Sequence, residues 1–583
     1  MKALRRLDLR ICLALLAAVG IVYARTAWAG FVNLDDGAYV KDNPIVLAGL
    51  SWAGIKWAFT TFWICNWHPV TWLSHMLDAS LFGKGPAGPH LMNALYHGLN
   101  GAGLYLLLRR ITGATWRSAA VAALFALHPV HVESVAWISE RKDVLSTLFT
   151  LASLHAYAGY VEGGRKRGLA WAALWHALAL MAKPMPVSLP LLLLVLDVWP
   201  LRRLEPFTWR RLAALSLEKW PFALLSAASC WVTVLAQKGA IVKLSLQPIS
   251  WRLFNASWAY VRYLGKMVWP SGLSPFYPYT TEQELGRLRL AGTLCLALLA
   301  LVTWAVVRER GRRPQLLAGW IWFLVSLLPV IGLVQVGSQA MADRYTYLPL
   351  IGPFVALVWW AAEGAERSEG YRKALAIAGS GVLVLLGGLS WIQAGYWESS
   401  TSLFGRALSL DPANPIALVN LGQALAEKGD QAAALPYFQR AVERAPTWFL
   451  ARKNLAMTYY YLGRRDQALP MMGQALFLDP LDGDLLWMAA RALAEEGRRE
   501  EAVKCLRDFL ALEPRRMGLS LDRAQEGAKT QNARILLGLV ALDLGWNKEA
   551  TRMLEAALAE DPGNAQIKLS LAKARKRAPA NTP

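Results

Sequence analysis

Cysteine is scarce in this chain. Cys12, Cys65, Cys230, Cys295 and Cys505 are scattered over 583 residues, mostly in apolar runs, and never form a CxxC pair. That argues against a disulfide framework and a cysteine-built zinc site. Acidic residues are in deficit, with 41 Asp and Glu against 62 Lys and Arg, for a net charge of +21. A basic excess can mean nucleic acid. Here the positive charge sits in short loops between apolar runs, which argues for a membrane instead. Glycine-rich phosphate signatures of the Walker or Rossmann kind are missing, which argues against a cytoplasmic nucleotide site. Histidine is confined too, as all eight lie before residue 177.

What is abundant is apolar and aromatic. Hydrophobic residues make up 55% of the chain and Trp occurs 27 times. Tryptophan favours membrane interfaces, where its ring is buried and its N–H stays wet. The start, MKALRRLDLR followed by ICLALLAAVGIVYARTAWAG, has the form of a signal peptide. Its length and the apolar segments that follow favour an uncleaved anchor. Apolar runs near 11–28, 91–108, 118–127, 144–160, 169–182, 185–198, 220–236, 290–307, 316–334, 348–362 and 373–392 predict about eleven membrane helices. The third and fifth end at His-Pro and Lys-Pro, where helices should break against a polar cavity.

Charge orients these spans. With a cytoplasmic N-terminus, the cytoplasmic loops carry 22 Lys and Arg in roughly 66 residues, and the opposite loops carry 14 in about 150. This balance requires 251–270, WRLFNASWAYVRYLGKMVWP, to be interfacial or re-entrant, because otherwise RERGRR at 308–313 would fall outside. The expected place is the inner membrane, with everything after 392 periplasmic.

The composition changes at 393. Acidic-Pro or Ala-Pro pairs end at Pro412, Pro446, Pro480, Pro514 and Pro562. The first three intervals are 34 residues and the last is 48, one repeat plus an insertion around RRMGLSLDRAQEGAKT. A 34-residue helix–turn–helix period with small residues at the crossing resembles the tetratricopeptide repeat, which stacks into a superhelix with a concave binding face. The expectation is an all-α chain, with a multi-spanning membrane domain at 1–392 and repeats at 393–583.

On the outer face, five groups of polar residues converge. Asp35 and Asp36 stand adjacent in FVNLDDGAYV. Two such carboxylates repel each other and call for water or a cation. His90 and Asn93 share a face of the second membrane helix with His97, and with His128 they could line an acceptor or sugar pocket. HPVHVESVAWISERKD crowds His128, His131, Glu133, Arg141 and Asp143 into one outer loop. Asp36, His131 and Glu133 together form a possible divalent metal set. Lys183 sits at the Lys-Pro break. Arg344 and Tyr345 begin the tenth helix and, with Arg262 and Lys266, would form a cationic collar suited to a lipid phosphate. Each group also admits a plainer role as a turn, a cap or an interfacial anchor.

The acidic pair, HPVHVESVAWISERKDVLSTLF, KPMPVSLPLLLLVLDVWPL, DRYTYLP and the trailing repeats together resemble one family. It comprises the transmembrane and tetratricopeptide-repeat containing O-mannosyltransferases and their bacterial relatives, which are C-type, lipid-sugar-dependent glycosyltransferases. The resemblance implies a polyprenyl-phosphate sugar at the outer membrane edge and a protein acceptor brought by the repeats, without nucleic acid. Asp35 or Asp36 would be the base or a metal ligand, and Lys183 and Arg344 would neutralise the phosphate. His131, Glu133, Arg141 and Asp143 would shape the sugar and acceptor pocket. A divalent ion, Mg or Mn, is a possible cofactor. Two other readings compete: a non-catalytic repeat scaffold anchored in the membrane, and an O-antigen-ligase-like transferase. A pure anchor has no use for ionisable groups at outer helix ends. The ligases rely on a large late outer loop rather than an early acidic pair.

Overall fold

The computed structural model describes residues 6–238, 247–279, 284–334, 337–512 and 523–577. The chain divides into two compact units, Met1–Leu410 and Asp411–Pro583.

In the first unit, helices occupy each of the eleven apolar runs. Among the described residues, four helices are long and apolar enough to cross a membrane alone: Arg6–Trp28, Ile138–Gly163, Leu285–Glu309 and Glu369–Glu398. Two bent pairs, Thr115–Leu127 with Pro129–Ala136 and Trp209–Glu218 with Trp220–Ala236, raise the number to six. The expected eleven exceeds this for two physical reasons. Some helices are short: Leu189–Val198 has 10 residues, about 15 Å of rise against a hydrocarbon core of about 30 Å. Others are long but polar inside. Ala87–Thr112 buries His90, Asn93, His97 and Asn100, and Asn93 and Asn100 donate to the carbonyls of Trp137 and Val144 on its neighbours.

Proline sets the breaks. Its ring disfavours a helical conformation in the residue before it. His128 is accordingly extended, with ψ 129°, and the helices on either side of it meet at 52°. Lys183 is extended at φ −158°, ψ 136°. Elsewhere small residues allow close approach. Helices Pro314–Leu327 and Ile351–Arg367 meet at Gly319 and Gly352, where a Cβ on either would strike the other's carbonyl oxygen.

Residues 31–90 are folded. They hold the helices Pro44–Leu47, Trp52–Thr60 and Pro69–Phe82. Their core joins Tyr39, Trp72 and Met76 to Ile138 of the 128–143 segment, with Tyr39 stacked on Trp72 at 4.5 Å between ring centroids. Two segments distant in sequence therefore share one apolar centre, which fixes the acidic pair against residues 138–143. Ile249–Val268 is one helix and is not among the candidate crossings. It buries Asn255, Ala259 and Tyr263 and exposes Ile249, Leu253 and Val268, as an amphipathic surface helix does. Among the described residues, one small antiparallel ladder departs from the all-helical plan, pairing Tyr277–Pro278 with Gln339–Met341.

The second unit is a run of antiparallel helix pairs: Pro415–Glu427 with Gln431–Arg444, Phe449–Tyr461 with Arg465–Leu478, and Gly483–Glu495 with Arg499–Ala511. Asn547–Glu560 packs against both Arg523–Asp543 and Ala565–Arg577. The turns of the three pairs place Gly429, Gly463 and Gly497, 34 residues apart, in the left-handed region, where glycine meets no Cβ penalty. Gly422 lies so close to Phe438 that a Cβ there would sit 2.8 Å from the ring. Pro514 and residues 515–522 of the insertion lie outside the described residues, and its remainder opens the helix Arg523–Asp543. The helix Ser400–Leu410 falls within the first compact unit.

Candidate active site

A cavity of about 700 Å³ opens in the first unit. One wall is charged and carries Asp35, Glu140, Lys142, Lys183 and Arg344. Another is apolar and includes Leu191, Val234, Leu328 and Leu333.

The charged wall is a chain of ion pairs centred on Glu140. Lys142 Nζ lies 3.6 Å from Asp35 and 3.4 Å from Glu140. Lys183 Nζ reaches Glu140 at 2.9 Å and Asp143 at 2.7 Å. Arg344 lies 3.3 Å from Glu140 and pairs with Glu133, which also accepts its backbone N–H at 3.0 Å. The Pro184 break ends the preceding helix at Lys183 and leaves the side chain free to turn into this network. Burial alone would lower the Lys183 pKa. The carboxylates of Asp143 and Glu140 outweigh it and hold the ammonium above the ordinary lysine range. Burial likewise opposes the charge on Arg344, and Glu133 and Glu140 restore it. Aromatic faces complete the wall: Lys142 sits 4.6 Å over Tyr39, and Arg344 sits 5.0 Å over Tyr345.

The two adjacent aspartates divide. Asp35 lines the cavity and its side chain is 40% exposed. Asp36 is fully buried and accepts three hydrogen bonds, from Val32 N–H at 3.0 Å, Ser139 N–H at 3.0 Å and Ser139 Oγ at 2.6 Å. Burial pushes its pKa up to about 6 against these bonds. Asp36 clamps its own segment to Ser139, and Asp35 faces the open space.

Several residues expected at the site serve the scaffold instead. Arg141 is fully buried and meets Asp78 at 2.6 Å, Ser74 Oγ and Pro89 O at 2.8 Å, and Asn93. Its donors are satisfied inside the protein, and Asn93 is consumed with it. His131 packs on Phe125 and Tyr347, with Nδ1 on the Phe125 carbonyl at 2.8 Å. His128 caps its own break and contacts the Met267 carbonyl at 2.8 Å. His90 is buried 3.3 Å from the Gly30 carbonyl. None of these lines the cavity. Glu133 and Asp143 stand behind the cations and orient them. The expected collar splits: Lys183, Arg344 and Tyr345 line the cavity, but Lys266 is engaged by Asp343 at 3.5 Å and Tyr277 Oη at 2.8 Å. Arg262 stacks over Trp258 at 4.5 Å.

The metal set does not converge. Asp36, His131 and Glu133 each answer to different partners, and among the described residues no three His, Cys, Asp or Glu gather to hold an ion. Where two carboxylates approach each other, an ammonium already bridges them, with Lys142 between Asp35 and Glu140 and Lys183 between Glu140 and Asp143. These residues do not fit a divalent ion.

Sequence reasoning passed over Glu140 and Lys142, though both lie in the quoted ERKD run. It also passed over Asn66 and His68, which line the same cavity. The signal for His68 was present: it precedes Pro69, as His128 precedes Pro129.

Comparison with known proteins follows this division. Residues 69–218 match the family described as dolichyl-phosphate-mannose-protein mannosyltransferase, and residues 388–447 and 453–525 match the tetratricopeptide repeat. The human protein O-mannosyl-transferase TMTC4 is 26% identical over 64% of this chain and 57% of its own length. Drosophila melanogaster Tmtc3 is 24% identical over 71% of this chain and 52% of its own, and human TMTC3 is 22% identical over 85% and 60%. The chain thus spans little more than half the length of these relatives. Among solved structures, the tetratricopeptide-repeat protein YrrB aligns over 30% of this chain and 84% of its own, at 20% identity and a TM-score of 0.26.

Proposed function

We propose that this chain, similar in both its parts to the transmembrane and tetratricopeptide-repeat containing O-mannosyltransferases, is an integral-membrane glycosyltransferase. It moves a sugar from a polyprenyl-phosphate donor to a Ser or Thr hydroxyl of a protein on the outer face of the membrane. The N-terminus is cytoplasmic, the membrane is the inner one, and the repeats recruit the acceptor. The observation that carries this reading is the cavity. It sets one exposed carboxylate, Asp35, against three cations, and it has an apolar wall fit for an isoprenoid chain.

The chemistry divides between these groups. The polyprenyl chain lies along Leu191, Val234 and Leu328. Its phosphate displaces Glu140 as the partner of Lys183 and Arg344, with Lys142 nearby. Asp35 accepts the proton of the acceptor hydroxyl as that oxygen bonds to the anomeric carbon. The bond from the anomeric carbon to the phosphate oxygen breaks, and its electron pair stays on the phosphate. Base assistance contributes roughly 10²–10⁴-fold. Fixed cations aimed at the departing phosphate stabilise the charge that develops there. Before the donor arrives, Glu140 serves as its stand-in, keeping three mutually repelling cations in place.

Transfer of labelled sugar from a polyprenyl-phosphate-sugar pool to envelope proteins tests the reading, in membranes matched for expression. Asp35→Asn should lower transfer at least about 100-fold, with the variant still folded. Asp36→Asn should retain measurable turnover in whatever fraction folds. Equal labelling by Asp35→Asn and the native chain would overturn it.

A further inference from the structure

The charged cavity wall accounts for a phosphate and a base but leaves the sugar's own hydroxyls without partners. Asn66 and His68 also line the cavity. The backbone that presents them is unusual. Ile64 and Cys65 are consecutive and both left-handed, Ile64 at φ 54°, ψ 40° and Cys65 at φ 55°. For a β-branched residue this is a costly conformation, which persists where surroundings impose it and which tends to mark ligand-binding sites. The surroundings here are specific. Trp63 Nε1–H donates to the Ala38 carbonyl at 3.1 Å, locking the segment to the turn that carries Asp35. Asn66 Nδ2–H donates to the Ile64 carbonyl at 2.7 Å, leaving its amide oxygen for the cavity. His68 Nδ1 lies 3.4 Å from Tyr39 Oη, and the Tyr39 ring lies under the Lys142 ammonium.

We infer that Asn66 and His68 form the subsite that reads the hydroxyls of the donor sugar. This rests on the proposed transferase reading and locates the sugar within it. The anomeric carbon must lie between the phosphate cations and Asp35, so the ring falls within reach of the segment that is locked to the turn carrying Asp35. What the segment locked to the Asp35 turn presents to the cavity is an uncharged amide and an imidazole, groups that can donate to and accept from neutral hydroxyls without competing for the phosphate. Burial, reinforced by Lys142 and Lys183, keeps the His68 pKa well below the ordinary histidine range, so the ring is neutral at pH 7. A site that hydrogen-bonds sugar hydroxyls discriminates epimers, because the wrong epimer leaves those groups unpaired.

Binding of two probes to the full-length chain in detergent tests this: polyprenyl phosphate, and polyprenyl phosphate bearing mannose. The native chain should bind the mannosylated lipid roughly tenfold more tightly than the bare one, the worth of one or two net hydrogen bonds. Asn66→Ala and His68→Ala should erase that preference and leave bare polyprenyl phosphate binding within about twofold. His68→Gln, which keeps a neutral donor and acceptor, should restore part of it. In transfer assays the same variants should change the ratio of kcat/KM between mannosyl and glucosyl donors. Loss of both lipids together would make these residues structural and overturn the subsite, as would an unchanged preference. If the native chain binds the mannosylated lipid but transfers from none, the transferase reading fails while the subsite stands.

Discussion

At the residue scale, exposure separates two aspartates that the sequence presents as equals. Asp36 is held by Val32 and Ser139, and its pKa is raised to about 6 from an ordinary value near 3.8. A carboxyl raised in the folded state adds stability below its unfolded pKa and loses it as pH rises through the folded one. The native chain should therefore gain stability relative to Asp36→Asn as pH falls from 7 to 4. The gain is at most about 3 kcal/mol, from roughly two pKa units at 1.4 kcal/mol each. Thermal melts of both proteins at the two pH values measure it. Arg141 gives a different signature. Arg141→Ala strands Asp78 and Asn93 in the interior and should cost about 3–5 kcal/mol of stability, read as lost thermal resistance. The quoted loop HPVHVESVAWISERKD was legible as a cluster, but not the direction each side chain takes. Neighbours on a tight helical turn diverge, so Arg141 turns inward to Asp78 while Glu140 and Lys142 on either side face the cavity. Sequence proximity gathered the loop into one cluster, and the structure turns His131 and Arg141 away from the cavity.

At the element scale, periodicity was the dependable guide. The proline spacing marked the repeats, and the structure sets Gly429, Gly463 and Gly497 at the same 34-residue interval. Gly422→Val should drive a side chain into Phe438 and cost about 1–3 kcal/mol. Faster hydrogen exchange across Pro415–Arg444, with the membrane helices unchanged, is the expected result. The helix breaks at His128 and Lys183 were equally legible, because proline acts locally. The number of membrane crossings was harder to read. The one helix Ala87–Thr112 carries His90, Asn93 and Asn100 inward, where Asn93 and Asn100 find carbonyl partners 44 residues away in the chain. The folded state of residues 31–90 was also hidden, since its core borrows Ile138 from another loop.

At the scale of the whole molecule, division into two units makes separable roles testable. A chain ending after Leu410 should keep transfer to a short Ser/Thr peptide within about tenfold and lose transfer to folded envelope proteins. That follows if recruitment is worth the effective concentration a tethered binding module supplies. Assay of both acceptors with the shortened and full chains checks it. Within the first unit, the beginning is fastened to the end. Arg25 pairs with Glu398 at 2.6 Å, the Gly30 N–H donates to the Glu398 carbonyl at 2.9 Å, and the Asn33 N–H donates to Ser400 Oγ at 2.8 Å. The ribosome makes residue 25 hundreds of residues before residue 398, so the segment bearing Asp35 waits without these anchors through most of synthesis. Its pose is completed only when residues 398–400 have been made, and a nascent chain stalled earlier carries an Asp35 carboxylate that is not yet held in place.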